Sequence, residues 1–196
     1  IQKIPEVSSV GIINGLYATS NGDGVNIPIQ IFTNYVSGDN VEFKLTGSQG
    51  KVMKESVYCS YTAATNYLAR KSDIFPELKD TNISDLIKNK FKNGFHIHAP
   101  STSTPKDGPS AGCAFTSAFI SRILGRKIKR NIAMTGEIDL TGNVTKIGGL
   151  NYKLLGSKKA GVSLVFIPKE NEKDFKEIKK KNPKLFSKKF KVQIVS

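Results

Sequence analysis

The spacing of apolar residues changes period along this chain, and that change limits what it can fold into. Over residues 10–46 the pattern is mainly two-fold. Ile27-Pro28-Ile29-Gln30-Ile31 and Val41-Glu42-Phe43-Lys44-Leu45 alternate as half-buried strands do, and Asn21-Gly22-Asp23-Gly24 supplies a turn between the first strands. Pro28 predicts an edge position or a bulge, because proline cannot donate to a sheet ladder. From Thr46-Gly47-Ser48 the period becomes helical, with Ser48 as N-cap and Val52, Cys59, Ala63 and Tyr67 on one apolar stripe that ends near Arg70.

The rest of the chain mixes the two patterns. A short helix is predicted over 83–90, a strand over 95–99, a polar loop over 100–109 and a small-residue helix over 110–124. A strand over 132–138, a turn at Thr141-Gly142-Asn143 and a short strand through Ile147 follow. Gly148-Gly149 then starts a helix to about Ala160, a strand over 162–167 stops at Pro168, and a lysine-rich helix comes last. Strands lead and helices interleave, so the fold class is α+β (mixed α/β). With no internal repeat and no long linker, residues 1–196 read as one domain, and the missing initial Met predicts a piece of a longer chain.

Composition narrows the function classes. No apolar run reaches the ~20 residues of a membrane span, and the first residues form neither a signal peptide nor a transit peptide. Cys59 and Cys113 stand far apart, which argues against a disulfide scaffold or zinc ribbon and suits a reducing, intracellular compartment. Thirty Lys+Arg against 16 Asp+Glu give a net charge of +14, which invites weak nucleic-acid binding. Only four of the thirty are Arg, the residue suited to bidentate phosphate and base contacts. The densest run, 169–191, interleaves its lysines with acids and carries Phe175 and Ile178 at helical spacing. It reads as a solvated helix face or, alternatively, a basic binding patch.

Two segments carry chemistry. In Pro105-Lys106-Asp107-Gly108-Pro109-Ser110-Ala111-Gly112 a serine stands at the mouth of a helix among small residues, where first-turn N–H groups could stabilise an oxyanion. The same segment is compatible with a plain serine N-cap. In Gly148-Gly149-Leu150-Asn151-Tyr152-Lys153-Leu154-Leu155-Gly156 a lysine falls on the apolar stripe with Leu150 and Leu154. There it either snorkels or loses its charge, and a neutral lysine can take a proton from a serine hydroxyl. His96 and His98 share one strand face and could seed a metal site, yet no other ligand type stands beside them. Gly47-Ser48-Gln49-Gly50-Lys51 lacks the spacing of a phosphate loop, so no nucleotide site is visible.

Together these blocks resemble the proteolytic domain of the Lon family of ATP-dependent proteases, of the bacterial and mitochondrial type, with its fold related to ribosomal protein S5 domain 2. The Pro-Lys-Asp-Gly-Pro-Ser-Ala-Gly and Gly-Gly-Leu-x-x-Lys-Leu-Leu blocks match the family's two catalytic motifs. Leu45-Thr46-Gly47-Ser48, Val52-Met53-Lys54-Glu55-Ser56, His96-Ile97-His98, Met134-Thr135-Gly136-Glu137-Ile138 and Ile167-Pro168 fall in its order. The resemblance implies Ser110 as nucleophile, Lys153 as general base and Thr135 as a hydrogen-bond partner of the lysine. It implies that Asp107 sits in a loop able to block or open the site, with Glu55 and His98 nearby. It further implies no cofactor in this domain, an upstream ATPase module using ATP and Mg, a hexameric ring, unfolded or damaged protein substrates, and a place in the cytoplasm or mitochondrial matrix. One departure stands out: in Gly15-Leu16-Tyr17-Ala18-Thr19 the aromatic comes one place earlier than in bacterial members, which on a strand turns its ring to the opposite face.

Overall fold

Residues 2–35 and 42–196 are described by a computed structural model. In chain order its strands and helices are β1 (Ser9–Val10), β2 (Ile12–Ala18), β3 (Gly24–Thr33), β4 (Phe43–Thr46), α1 (Lys51–Arg70), α2 (Ile83–Lys90), β5 (Phe95–His98), α3 (Gly112–Leu124), β6 (Lys127–Ile128), β7 (Ile132–Met134), β8 (Glu137–Ile138), β9 (Val144–Thr145), α4 (Leu150–Ala160), β10 (Leu164–Pro168), α5 (Glu172–Lys181) and β11 (Lys191–Val195). Seven strands form one mixed sheet in the order β11-β10-β7-β2-β3-β5-β4, and β1-β6 and β8-β9 form two small antiparallel ribbons. This is the mixed α/β architecture expected, and no helix among the described residues is long and apolar enough to cross a membrane.

The sheet separates two apolar cores, and strand alternation assigns residues to them. Ile13 faces the core built with α1 and α3, where Val57, Leu68, Phe115 and Phe119 are fully buried. Leu16, three places on, faces the core built with α4 and α5, with Ala133, Leu150, Leu154 and Val165. Between them Asn14 is buried in the central strand. Its Nδ2 donates to the carbonyls of Arg130 (2.7 Å) and Ile132 (2.8 Å), and its Oδ1 accepts from Asn26 Nδ2 (3.0 Å). Those bonds satisfy a polar group that would otherwise be costly at that depth.

Several expectations need correction. Pro28 lies in an interior strand, opposite Asn14. It is tolerated because β5 pairs with β3 only over Gln30–Thr33, leaving the second edge of β3 at Pro28 without a strand partner among the described residues. Ser48 is not an N-cap: it has a left-handed backbone (φ 55°), its hydroxyl donates to the Thr102 carbonyl, and α1 starts three residues later behind Gly50. The buried stripe of α1 runs through Met53, Ser56, Val57, Ser60, Ala63, Ala64 and Leu68, so Ala63 is buried as expected, while Val52 is 44% exposed. Ser60 can be buried because its hydroxyl reaches the carbonyls of Ser56 (2.7 Å) and Gly112 (3.0 Å). The strand expected over 132–138 breaks into β7 and β8 at Thr135-Gly136, and Val41 lies outside the described residues.

Candidate active site

Ser110 stands two residues ahead of α3, whose N-cap is Ala111, so it is neither the first residue of that helix nor its cap. Its backbone is anchored to the break between β7 and β8. The Gly136 N–H donates to the Ser110 carbonyl (2.8 Å), and the Cys113 N–H donates to the Gly136 carbonyl (2.9 Å). The Gly112 N–H is taken by the Pro109 carbonyl (3.1 Å). Two first-turn donors, Gly112 and Cys113, are thus engaged, while among the described residues the N–H groups of Ser110, Ala111 and Ala114 make no hydrogen bond to another backbone group.

The loop before Ser110 is held from both sides. Lys106 is buried, and its ammonium donates to the carbonyls of Gly47 (2.6 Å), Ser101 (2.6 Å) and Thr104 (2.7 Å), filling all three of its donors. Asp107 Oδ1 accepts from the N–H groups of Met53 (2.9 Å) and Gly108 (2.8 Å), so this loop supplies the missing cap of α1. Those backbone donors, Met53 first, hold the Asp107 carboxyl below the usual carboxylate range. Gly50 makes the approach possible, since a Cβ there would lie 2.3 Å from the Asp107 carboxyl carbon.

Lys153 comes from the opposite core. Gly149, with φ 66°, turns the chain into α4, and the first turn closes with the Lys153 N–H on the Gly149 carbonyl (3.1 Å). As the helical spacing requires, Leu150, Lys153 and Leu154 are all buried. Lys153 is 4% exposed, and among the described residues its ammonium has no hydrogen-bonded or ion-paired partner. Burial alone therefore pushes its pKa down to about 8.

Ser110 and Lys153 line one cavity of about 300 Å³, together with Tyr17, Asp107, Glu137, Lys146, Ile147 and Gly148. Against Ser110 lies a second recess of about 20 Å³ walled by Ile27, Ile29, Met53 and Ala111. Tyr17 borders both, and also a larger cavity of about 520 Å³ beside Tyr152 and Lys159. The early aromatic packs against the α1/α3 core and so reaches the Ser110 side of the sheet.

The remaining expected residues are placed differently. Thr135 continues the face of β7 that carries Ala133 into the α4 core, and it is fully buried. Its Oγ1 has no hydrogen-bond partner, so the expected bond to Lys153 is not made in this structure. Glu55 is exposed on α1 and lies outside the cavity. His98 is also outside it: its Nδ1 lies 2.7 Å from Thr46 Oγ1, which His96 Nε2 shares at 2.8 Å. No cluster of three or more His, Cys, Asp or Glu side chains able to hold a metal ion occurs among the described residues. Reading the sequence missed Glu137 and Lys146 on the cavity wall and the buried state of Lys106. Exposed charge and a lysine among turn residues carry no periodic signal.

The family model for the Lon protease (S16) C-terminal proteolytic domain matches residues 1–196. The chain belongs to the Lon proteolytic-domain family. It is 49% identical over 199 residues to a Lon protease homolog of Acanthamoeba polyphaga mimivirus, covering 100% of this chain and 18% of that protein. Identity to the Lon protease of Finegoldia magna is 40% over 178 residues, covering 90% and 21%. Identity to the mitochondrial Lon protease homolog of Homo sapiens is 34% over 184 residues, covering 91% and 18%. The chain thus spans about a fifth of the length of these Lon relatives. Both segments singled out for their chemistry lie inside the matched Lon region, and the peptidase class follows from that membership.

Proposed function

We propose that this chain is the peptide-hydrolysing domain of an ATP-dependent Lon-type protease, with Ser110 as nucleophile and Lys153 as general base. The observation that carries the reading is the shared cavity. It holds a serine backed by free N–H groups and a buried lysine whose pKa, about 8, leaves a usable neutral fraction near neutral pH. Neutral Lys153 takes the Ser110 hydroxyl proton as Oγ attacks the scissile carbonyl. The N–H groups of Ser110 and Ala111 stabilise the oxyanion, and the lysine passes its proton to the leaving amine as the peptide bond breaks. Water, deprotonated by the same lysine, then releases the acyl group from Ser110.

The relatives are about five times as long as this chain. As the family resemblance implies, we assign to the full-length protein an upstream ATPase module that uses ATP and Mg and threads unfolded or damaged proteins to the site within a hexameric ring. Bacterial and mitochondrial relatives support the cytoplasm or the mitochondrial matrix. The test is cleavage of an unfolded fluorogenic protein by the full-length protein and its Ser110→Ala and Lys153→Ala variants. Activity lost in both while ATP hydrolysis persists is the expected result, and activity kept in either overturns the dyad. A salt-dependent affinity for DNA that survives Ser110→Ala would make nucleic acid a second ligand, through the lysines on the outer face of α5.

A further inference from the structure

Asn171 is completely buried, and its amide grips one residue of the cavity wall. Its Oδ1 accepts from the Ile147 N–H (3.0 Å), and its Nδ2 donates to the Ile147 carbonyl (2.9 Å) and to Asp174 Oδ2 (2.9 Å). Both backbone groups of Ile147 are thereby paired by one side chain, as a neighbouring strand would pair them. Among the described residues no strand does so, because β9 ends at Thr145. Next to it Glu170 Oε2 accepts from the Lys146 N–H (2.7 Å), and Asp174 Oδ2 lies 3.9 Å from Lys146 Nζ. Asn171 occupies the N-cap position of α5 yet makes no cap bond, so its oxygen serves a segment 24 residues earlier instead of its own helix.

That segment has a use. Ile147 and Gly148 line the cavity shared by Ser110 and Lys153, and they lead into the Gly149 turn that starts the helix carrying Lys153. We propose that Asn171 is a positioning residue of the peptidase site, fixing the 146–149 wall so that Lys153 stays aligned and shielded from water. This rests on the Ser110–Lys153 reading. With the wall loosened, two backbone groups of Ile147 lose their partners and water gains a path to the lysine. The other titratable groups facing that space are Tyr17 from β2, Asp107 from the nucleophile loop, Glu137 from β8 and Lys146.

The experiment compares Asn171→Ala and the surface change Glu170→Ala with wild type in the full-length protein, reading kcat, KM and the pH profile of kcat/KM. Asn171→Ala is expected to lower kcat about tenfold with KM within about twofold, and Glu170→Ala to lower kcat about threefold. The acid limb should move up by about half a pH unit in Asn171→Ala as Lys153 regains hydration. A loss of rate that follows the folded fraction, with the limb unmoved, overturns the proposal. If Asn171→Ala does not accumulate folded, Glu170→Ala decides, and wild-type kcat and limb there overturn it. Ser110→Ala and Lys153→Ala run in parallel. Activity kept in either one sinks the dyad itself, whereas two dead controls beside unaffected Asn171 and Glu170 variants sink the positioning role alone.

Discussion

Gly156 and Gly24 meet backbone to backbone: a Cβ on Gly156 would lie 2.2 Å from the Gly24 carbonyl oxygen, and a Cβ on Gly24 would lie 1.7 Å from the carbonyl oxygen of Tyr152. Helix α4 therefore rests directly on the first residue of β3, and this contact sets the height of Lys153 above the sheet. Gly156→Ala is expected to destabilise the fold by about 1–3 kcal/mol, because neither opposing atom is a flexible side-chain end. Peptidase activity should fall further than the folded fraction does, since the displaced helix carries the lysine. Urea unfolding and peptide turnover on the same preparations check this, and equal losses in both would remove the link to Lys153.

The pH profile of cleavage is expected to follow neutral Lys153. With a pKa of about 8, each pH unit below that value should cost about tenfold in rate, levelling off above pH 9. Stability should respond with its own sign. Folding lowers the lysine's pKa from the ordinary 10.5 to about 8, so between those values the unfolded chain binds more protons. This residue's contribution therefore rises with pH across that window. Rates measured where chemistry limits turnover, and denaturant midpoints from pH 7 to 10, check both halves. A flat rate from pH 6 to 9 would remove the lysine base.

Thr135 holds a buried hydroxyl without a partner. Thr135→Val keeps its shape and removes the unpaired group, so stability is expected to hold or rise by up to about 1 kcal/mol. The family resemblance implies that this hydroxyl partners Lys153 during turnover, and on that proposal kcat is expected to fall about tenfold. Urea midpoints with kcat separate the two effects, and an unchanged kcat would reduce Thr135 to packing.

Lys106→Met would strip the carbonyls of Gly47, Ser101 and Thr104 of a shared donor. An expected loss of about 2–4 kcal/mol follows from leaving such groups unpaired. Lys106→Arg should not restore it, because a planar guanidinium cannot reproduce three converging bonds from one nitrogen. Chemical denaturation of the two variants checks this, and a stable arginine variant would show that charge alone suffices.

Local signals were legible in the sequence wherever the structure answers them locally. The helix over 83–90 has its own Asn82 cap, whose Oδ1 accepts from Ser84 and Asp85, and α4 starts at the glycine pair. Lys153 on an apolar stripe is buried as the spacing requires. What was not legible depends on distant partners. The cap of α1 comes from Asp107, so no nearby residue announces where the helix begins. Ser56 and Ser60 count as polar in any periodicity, yet the Ser60 hydroxyl is satisfied by the Gly112 carbonyl on the neighbouring helix. The strand break at Gly136 serves the backbone of Ser110, a pairing that spacing along the chain does not encode.

The two cores on opposite faces of the sheet draw on different lengths of the chain. Ser110 lies just ahead of α3, whose core takes its fully buried residues from no later than Leu124, while Lys153 belongs to a core that also needs Val165, Ile167, Leu185 and Phe190. The wall that buries the lysine is thus drawn from later in the chain than the helix behind the serine. The two halves of the proposed pair therefore share a cavity only once the chain as far as Phe190 has joined the fold.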